Sequence, residues 1–508
     1  MTNESANSKR LAKNTLILYA RMLFTVGISF YTTRLILANL GVENYGIYNV
    51  IGGFVSMFYM VSSTMTQAVS RFLTFELGKG DIEKLRQTFS TSVNILLLFS
   101  LVIVFLGETV GLWFVNTKLN IDASRMEAAN WIYQFTLFSF VLEMVSVPYG
   151  ASVISHEKMG TFAFVTIAKV FLTLGIALLL AVSPIDRLIF YGLAVFIVSF
   201  IIQLMYWIYC RRKFAECQYL FHINRHIFKE MFCFAGWSFL STTSSMLSSQ
   251  GVSILLNMHF GTAINAARGI ASQINGTSAS FARNFTTALS PQITKTYASG
   301  DFDYAKRLVC KGAKFSFLLL YIIALPCIIE IDFVLSVWLK EVPAYSNIFA
   351  QLILLNSLVE VLTNSSETLN NATGKIRHYQ ILMCITQLSI FIGSYIVLST
   401  TGNTVMAIVV TNIVYLIAFS FRILSNKPFI GITFTYYFEN VLKGVCIVVL
   451  ISSVVSIIPL FFLGEGWVRL FLVGGLSTLS IGLSAYRFVL TSGERDKIIG
   501  VVKKRFSN

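Results

Sequence analysis

GTAINAARGIASQINGTSASFARNFTTALS, residues Gly261–Ser290, is long enough to cross a bilayer and too polar to face one. An α-helix rises about 1.5 Å per residue, so this stretch covers the roughly 30 Å hydrocarbon core. Yet it carries Arg268 and Arg283. At about 100° per residue, Asn265, Arg268, Ser272, Asn275, Ala279, Arg283 and Thr286 fall in one broad stripe, with Ile264, Ile270 and Ile274 mostly elsewhere. Intramembrane arginine costs a few kcal/mol even on insertion scales, so a cationic stripe reads as the wall of a cavity that meets something anionic. The competing reading is an arginine that snorkels or pairs with an acid on a neighbouring helix.

The rest of the chain makes the bilayer the right frame. Its 508 residues are 55% hydrophobic and only 12% charged, with mean hydropathy +0.72, which excludes an ordinary soluble enzyme. The net charge of +15 would suggest nucleic acid in a soluble protein, but in a membrane protein its distribution matters more, and no nucleic-acid partner is expected. Seven scattered cysteines form no CxxC pair, and the five histidines show no ligand spacing, so neither a disulfide framework nor a metal is expected. The polar N-terminus leads into an apolar run longer than a signal-peptide core, read as a retained first span.

Apolar runs of spanning length number fourteen, beginning with Thr15–Ala38 and Tyr45–Val69. With the N-terminus in the cytoplasm, 29 Lys and Arg fall at cytoplasmic ends and loops, 5 on the opposite side, and 5 inside spans. That bias places both termini in the cytoplasm. Laid on itself with a shift of 220, the sequence matches Gly41 with Gly261, Thr66 with Thr286, Ser70 with Ser290, Gly80 with Gly300 and Asp81 with Asp301. Clustered matches at one helix end indicate duplication, and six spans per copy make the copies parallel, as in secondary transporters whose substrate sits between two halves. The expected fold is an all-α integral membrane protein of about 14 transmembrane helices. It comprises a six-helix bundle over 1–210, a basic cytoplasmic linker over 211–230, a second bundle over 231–425, and a helix pair with a basic tail over 426–508.

Several intramembrane residues are candidates for chemistry. Along Ser346–Ala372, Asn356, Glu360, Thr363, Asn364, Glu367 and Asn371 form a continuous polar, acidic face. Glu143 is the mid-membrane acid of the first half. Buried carboxylates exchange protons readily, so Glu143 and Glu360, with Glu367 nearer the cytoplasm, are candidates for ion coupling, or equally for balancing Arg21, Lys169 or Arg268. Arg21 shares a face with Thr25 and Thr32 and joins the cavity set, whereas Arg34 points roughly 140° away. Ser238, Thr242, Ser245 and Ser249 form a hydroxyl stripe that suits close helix packing better than sugar binding. Asp301-Phe302-Asp303 matches the short D-x-D of metal-dependent glycosyltransferases, but its repeat mate Asp81-Ile82-Glu83 marks both as helix caps. Pro148 and Pro326 lie inside spans as bending points or static kinks. No phosphate-binding loop is present, so a proton or sodium gradient, the membrane potential or substrate supply must drive any transport.

LAKNTLILYARML with YTTRLILANLGVENYGIYNVIGG, then SRFLTFELGKGD, VPYGASVISHEKMG and FGTAINAARGIASQING, resembles the polysaccharide transporter branch of the multidrug, oligosaccharidyl-lipid and polysaccharide exporter superfamily, over nearly the whole chain. That branch includes O-antigen and capsule repeat-unit flippases. The resemblance implies two six-helix bundles in a V around a central cavity, and a final helix pair that in the related lipid II flippase lines a groove for the polyprenyl tail. The implied cargo is an undecaprenyl-diphosphate-linked oligosaccharide. It would move from the cytoplasmic to the periplasmic leaflet of the bacterial inner membrane for surface polysaccharide assembly, alongside a polysaccharide polymerase and other assembly proteins. The family's cationic cavity maps onto Arg21, Arg268 and Arg283, with Asn265 and Asn275 on the same stripe as the last two. The lipid II flippase has denser arginines in its first two spans, and this chain has none within the second. Arginine's fork suits diphosphate oxygens, which supports the same reading independently. The alternative within the superfamily is an ion-coupled multidrug exporter, whose organic cations Arg21, Arg268 and Arg283 would repel. An enzyme, such as a polymerase or glycosyltransferase, would need a domain for which the short loops leave no room.

Overall fold

Within a bilayer, long apolar runs satisfy their backbone only as helices or closed barrels, and here they are helices. A computed structural model describes residues 2–56, 58–117, 121–219, 224–260, 262–339, 342–490 and 495. It is 90% helical, with no strand among the described residues. The chain divides into two compact units, Met1–Thr242 and Thr243–Asn508.

The first unit holds α1 (Thr2–Ser56), α2 (Tyr59–Lys79), α3 (Ile82–Leu106, continued through a π-helical turn at Gly107–Gly111), α4 (Met126–Ser155), α5 (Met159–Leu179), α6 (Arg187–Lys213) and the first half of α7 (Arg225–Phe260). The second holds the rest of α7, α8 (Thr262–Ala298), α9 (Phe302–Ile329), α10 (Ile331–Trp338), α11 (Ser346–Val361), α12 (Asn364–Thr373), α13 (Arg377–Thr401), α14 (Thr404–Leu424), α15 (Lys443–Phe462) and α16 (Trp467–Phe488). The division falls inside α7 because its first half packs on the first unit, Met231 against Ser92 and Phe234 edge-on to Phe72, while Ser244 reaches Cys384 of α13.

Among the described residues nine helices are long and apolar enough to cross a membrane, and α11 with α12, bent by 43° at their junction, make a tenth candidate. The chain is thus a multi-pass membrane protein. Helices α1, α2, α7 and α8 are of spanning length but more polar. One expectation is corrected. The first two spans do not part between Ala38 and Tyr45, because α1 continues unbroken to Ser56. Of the described polar side chains in that interval, Asn44 donates to Leu40 O of the same helix and Asn39 to Ala177 O across the unit.

The two loops that the sequence shift aligns share one geometry. Gly80 (φ 76°) and Gly300 (φ 82°) both end a helix in the left-handed conformation that glycine adopts without strain. Asp81 and Asp301 then cap the next helix, accepting at 3.0 Å from the N–H of Lys84 and Tyr304. The D-x-D sequence is used for capping.

In the first unit, Arg125 binds Asp186 at 2.7 Å and Asn44 Oδ1 at 2.6 Å, which staples α1, α4 and α6 together at one end. In the second, small residues of α8 (Ala267, Ala271, Ser278, Ala282) are buried, and Ala267 and Ala271 join a core with Leu256, Phe349 and Ala350. Small side chains let membrane helices approach closely where no hydrophobic drive exists. The same device joins α15 to α16, whose Ser452, Ser456, Ser477, Ser480 and Ser484 are all buried. Arg469 of α16 locks that pair to the C-terminal end of α9 through Glu330.

Candidate functional site

Each unit carries its own intramembrane charged site. In the first, five helices enclose a cavity of about 560 Å³, lined by Tyr48, Gly52, Tyr59, Thr136, Ser139, Glu143, Lys169, Thr173, Tyr191 and Ser199 among others. Glu143 on α4 accepts from Lys169 on α5 and, at 2.5 Å, from the hydroxyl of Tyr59 on α2. The rings of Tyr48 and Tyr191 meet edge to face at 4.9 Å, as do Tyr59 and Phe140. Thr136 and Thr173 donate back to their own helices, which leaves their oxygens able to accept, and the buried Ser139 Oγ has no hydrogen-bond partner. A cavity with one balanced ion pair, several hydroxyls and aromatic edges suits a neutral polar guest better than a bare ion. Arg21, half-buried in the same unit, stacks over Phe162 at 5.1 Å and does not line this cavity.

The second unit is built on α8 and the broken α11–α12 span. Along α8, Ile264, Ala267, Ala271, Ser278 and Ala282 are buried, Ser272 and Arg283 are exposed, and Arg268 and Asn275 are intermediate, as are Ile270 and Ile274. Arg268 donates to the Ser249 carbonyl at 2.9 Å and to the Ser253 hydroxyl, both on α7. Arg283 donates to the Gly276 carbonyl at 2.9 Å. Among the described residues neither arginine meets a carboxylate, so both charges are held by neutral groups. Asn275 Oδ1 is buried without a partner. The side chains of Asn265 and Arg34 lie outside the described residues.

At the α11–α12 break, the freed backbone is satisfied from elsewhere. Tyr437, fully buried, donates to the Leu362 carbonyl at 2.6 Å, while Arg422 donates beside it to the Thr363 side-chain hydroxyl at 3.0 Å. Irregular backbone at membrane depth is tolerated only when rebonded in this way. Glu360 and Glu367 flank the break, within electrostatic range of Arg422, Tyr379 and Tyr415. Arg422 is only 2% exposed and lies over the Tyr415 ring at 5.3 Å, with Nε and Nη2 unbonded. Two acids against one base leave this group with an acid in excess, unlike the balanced pair in the first unit.

The structure thus leaves Arg283 exposed and Arg268 and Asn275 intermediate along one helix, and Glu360 and Glu367 beside one another, while Glu143 faces Lys169. Four contributors escape a reading by hydropathy alone. Arg422 stands at the end of its apolar run and reads as a loop charge, yet it is seven residues from Tyr415, two turns along the same face, and points inward. Tyr48, Tyr59 and Tyr191 sit in apolar runs where tyrosine reads as packing.

No protein-family model matches the chain, and no curated protein matches it in sequence. Its fold is shared with solved multi-helix membrane transporters. It is similar to a MATE transporter in the bent conformation (TM-score 0.73, 12% identity, 84% of this chain and 96% of that one). It is likewise similar to an outward-facing multidrug resistance MATE family transporter of the MOP superfamily (0.71, 12%, 83% and 96%). A third likeness is to a MOP superfamily transporter from Pyrococcus furiosus, described as having a binding pocket of reverse polarity (0.67, 12%, 83% and 96%).

Proposed function

We propose that this protein is a secondary transporter that flips an undecaprenyl-diphosphate-linked oligosaccharide from the cytoplasmic to the periplasmic leaflet of the bacterial inner membrane, for surface polysaccharide assembly. The observation that carries the proposal is that Arg268 and Arg283, on a helix of spanning length, are held by carbonyls and a serine rather than by acids. Their charge is left for a ligand, and a diphosphate is the anion that a bilayer refuses and a guanidinium fork fits. In the first unit Arg21, stacked over Phe162, is a further cationic candidate. The tyrosine-lined cavity with its balanced Glu143–Lys169 pair is the place for a sugar, whose hydroxyls pair with both charges and whose C–H faces lie against rings. The excess acid among Glu360, Glu367 and Arg422 is the group to exchange a proton or sodium ion with the gradient that drives the cycle.

A second reading, an ion-coupled drug exporter, is favoured by the multidrug resistance transporter among the structural neighbours and by that same acid excess. One experiment separates them. In cells that depend on this transporter, Arg268→Ala should abolish surface polysaccharide with the protein still inserted, Arg268→Lys should restore it only in part, and drug susceptibility should not move. Unchanged polysaccharide together with raised drug susceptibility would favour the exporter.

A further inference from the structure

The first unit also has a groove that its charged cavity does not use. It is about 220 Å³ in volume and lies between α2, α3 and α7, with Met65, Phe99, Phe232, Ala235 and Phe239 among its walls. Among the described residues Thr64 is the one hydroxyl residue in its wall. Phe99 and Phe232 stack at 6.1 Å, and Phe232 stacks in turn on Phe228, so the aromatic wall extends along α7 toward its N-terminal end. Phe232 is 51% exposed and Phe239 42%. Among the described residues its walls offer water no partner beyond Thr64, so the groove suits an apolar chain.

The end of the groove says which chain. Arg71 is seven residues beyond Thr64, two turns along the same face of α2, and its guanidinium lies over Phe72 at 4.4 Å, Phe75 at 4.6 Å and Phe234 of α7 at 6.0 Å. Lys229 is three residues before Phe232 and seven before Gly236, on the groove-lining face of α7, and it is exposed. The nearest acid on α7, Glu230, is turned to His226 at 3.8 Å. Antiparallel passage of α2 and α7 brings Arg71 and Lys229 to the same end of one apolar slot. We infer that this slot binds one acyl chain of an anionic phospholipid, with the lipid phosphate at Arg71 and Lys229. The inference does not depend on the cargo proposed above, since no residue of either charged site takes part.

Native mass spectrometry of the full-length protein, exchanged from detergent with equimolar phosphatidylglycerol and phosphatidylcholine, tests it. The wild type should retain one phosphatidylglycerol in clear preference. Gly236→Leu should abolish that preference, because a Cβ at Gly236 meets nothing within 4 Å and the longer side chain enters the slot without displacing structure. Arg71→Gln and Lys229→Gln should each lower retention about fivefold, the worth of one basic residue at a lipid surface. Both are at the basic end rather than in the packed interior, so they report even if Gly236→Leu unfolds. Equal retention of the two lipids by the wild type would overturn the site, and so would a folded Gly236→Leu that keeps phosphatidylglycerol, or glutamine variants that keep it undiminished.

Discussion

Arg469 reaches Glu330 with two hydrogen bonds of 2.8 Å each, Nε to Oε1 and Nη2 to Oε2, and Glu330 is 1% exposed. This fork joins α16 to the end of α9, so the C-terminal pair is part of the second unit and not an appendage. Removing one partner of a buried pair strands the other charge, typically at about 3–5 kcal/mol. Arg469→Ala and Glu330→Ala should each lower the melting temperature in detergent sharply, and the double variant Arg469→Met/Glu330→Gln should lose less than the two singles combined. Additive losses would mean that the pair is not coupled.

Glu143 and Lys169 should behave in the same way but with a functional readout. Lys169→Met leaves Glu143 with only Tyr59 as a partner and should impair both stability and transport. Adding Glu143→Gln should restore stability, as measured by melting, while transport recovers only if the cavity needs hydrogen bonds and not charge.

At Gly312 α9 passes close to its neighbours. A Cβ there would collide with Ser365 Oγ and lie 2.5 Å from Leu289 Cδ2. Gly312→Ala should therefore destabilise by about 1–3 kcal/mol, the usual cost of overpacking. Gly175 on α5 meets nothing within 4 Å, and Gly175→Ala should be neutral or stabilising by up to about 1 kcal/mol. Thermal melts of the two variants should move in opposite directions.

Asp186 sets an acid limit on the first unit. Partial burial pushes its carboxyl up, but the Arg125 guanidinium and the N–H groups of Leu188 and Ile189 outweigh that and hold it below the usual range. Because the folded state lowers this pKa, its stabilising effect is complete above the unfolded value of about 3.9 and is lost as pH falls through the lower folded value. Melting temperature should drop over that acid window in the wild type, and Asp186→Asn should flatten the drop while losing stability at neutral pH.

The sequence alone settled the class of the molecule. A composition this apolar has no fold in water, and a bilayer allows only helices for runs of this length, so the membrane assignment followed from elementary energetics. The stripe of α8 was legible only in part: Ser272 and Arg283 are exposed and Ile264 is buried, but Arg268 and Asn275 are no more exposed than Ile270 and Ile274. The caps at Asp81 and Asp301 are local, each completed within three residues. What spacing cannot carry is the partner across space. Glu143 had three candidate bases, and only the packing of α4 on α5 selected Lys169. Arg422 and Arg469 looked like loop charges because hydropathy ends at the last apolar residue, whereas a long side chain follows its helix face inward to Thr363 or Glu330. The unbroken α1 has the same origin: a turn is a competition between local propensity and the contacts a straight helix can make, and at Asn39 the contact with Ala177 lies 138 residues away.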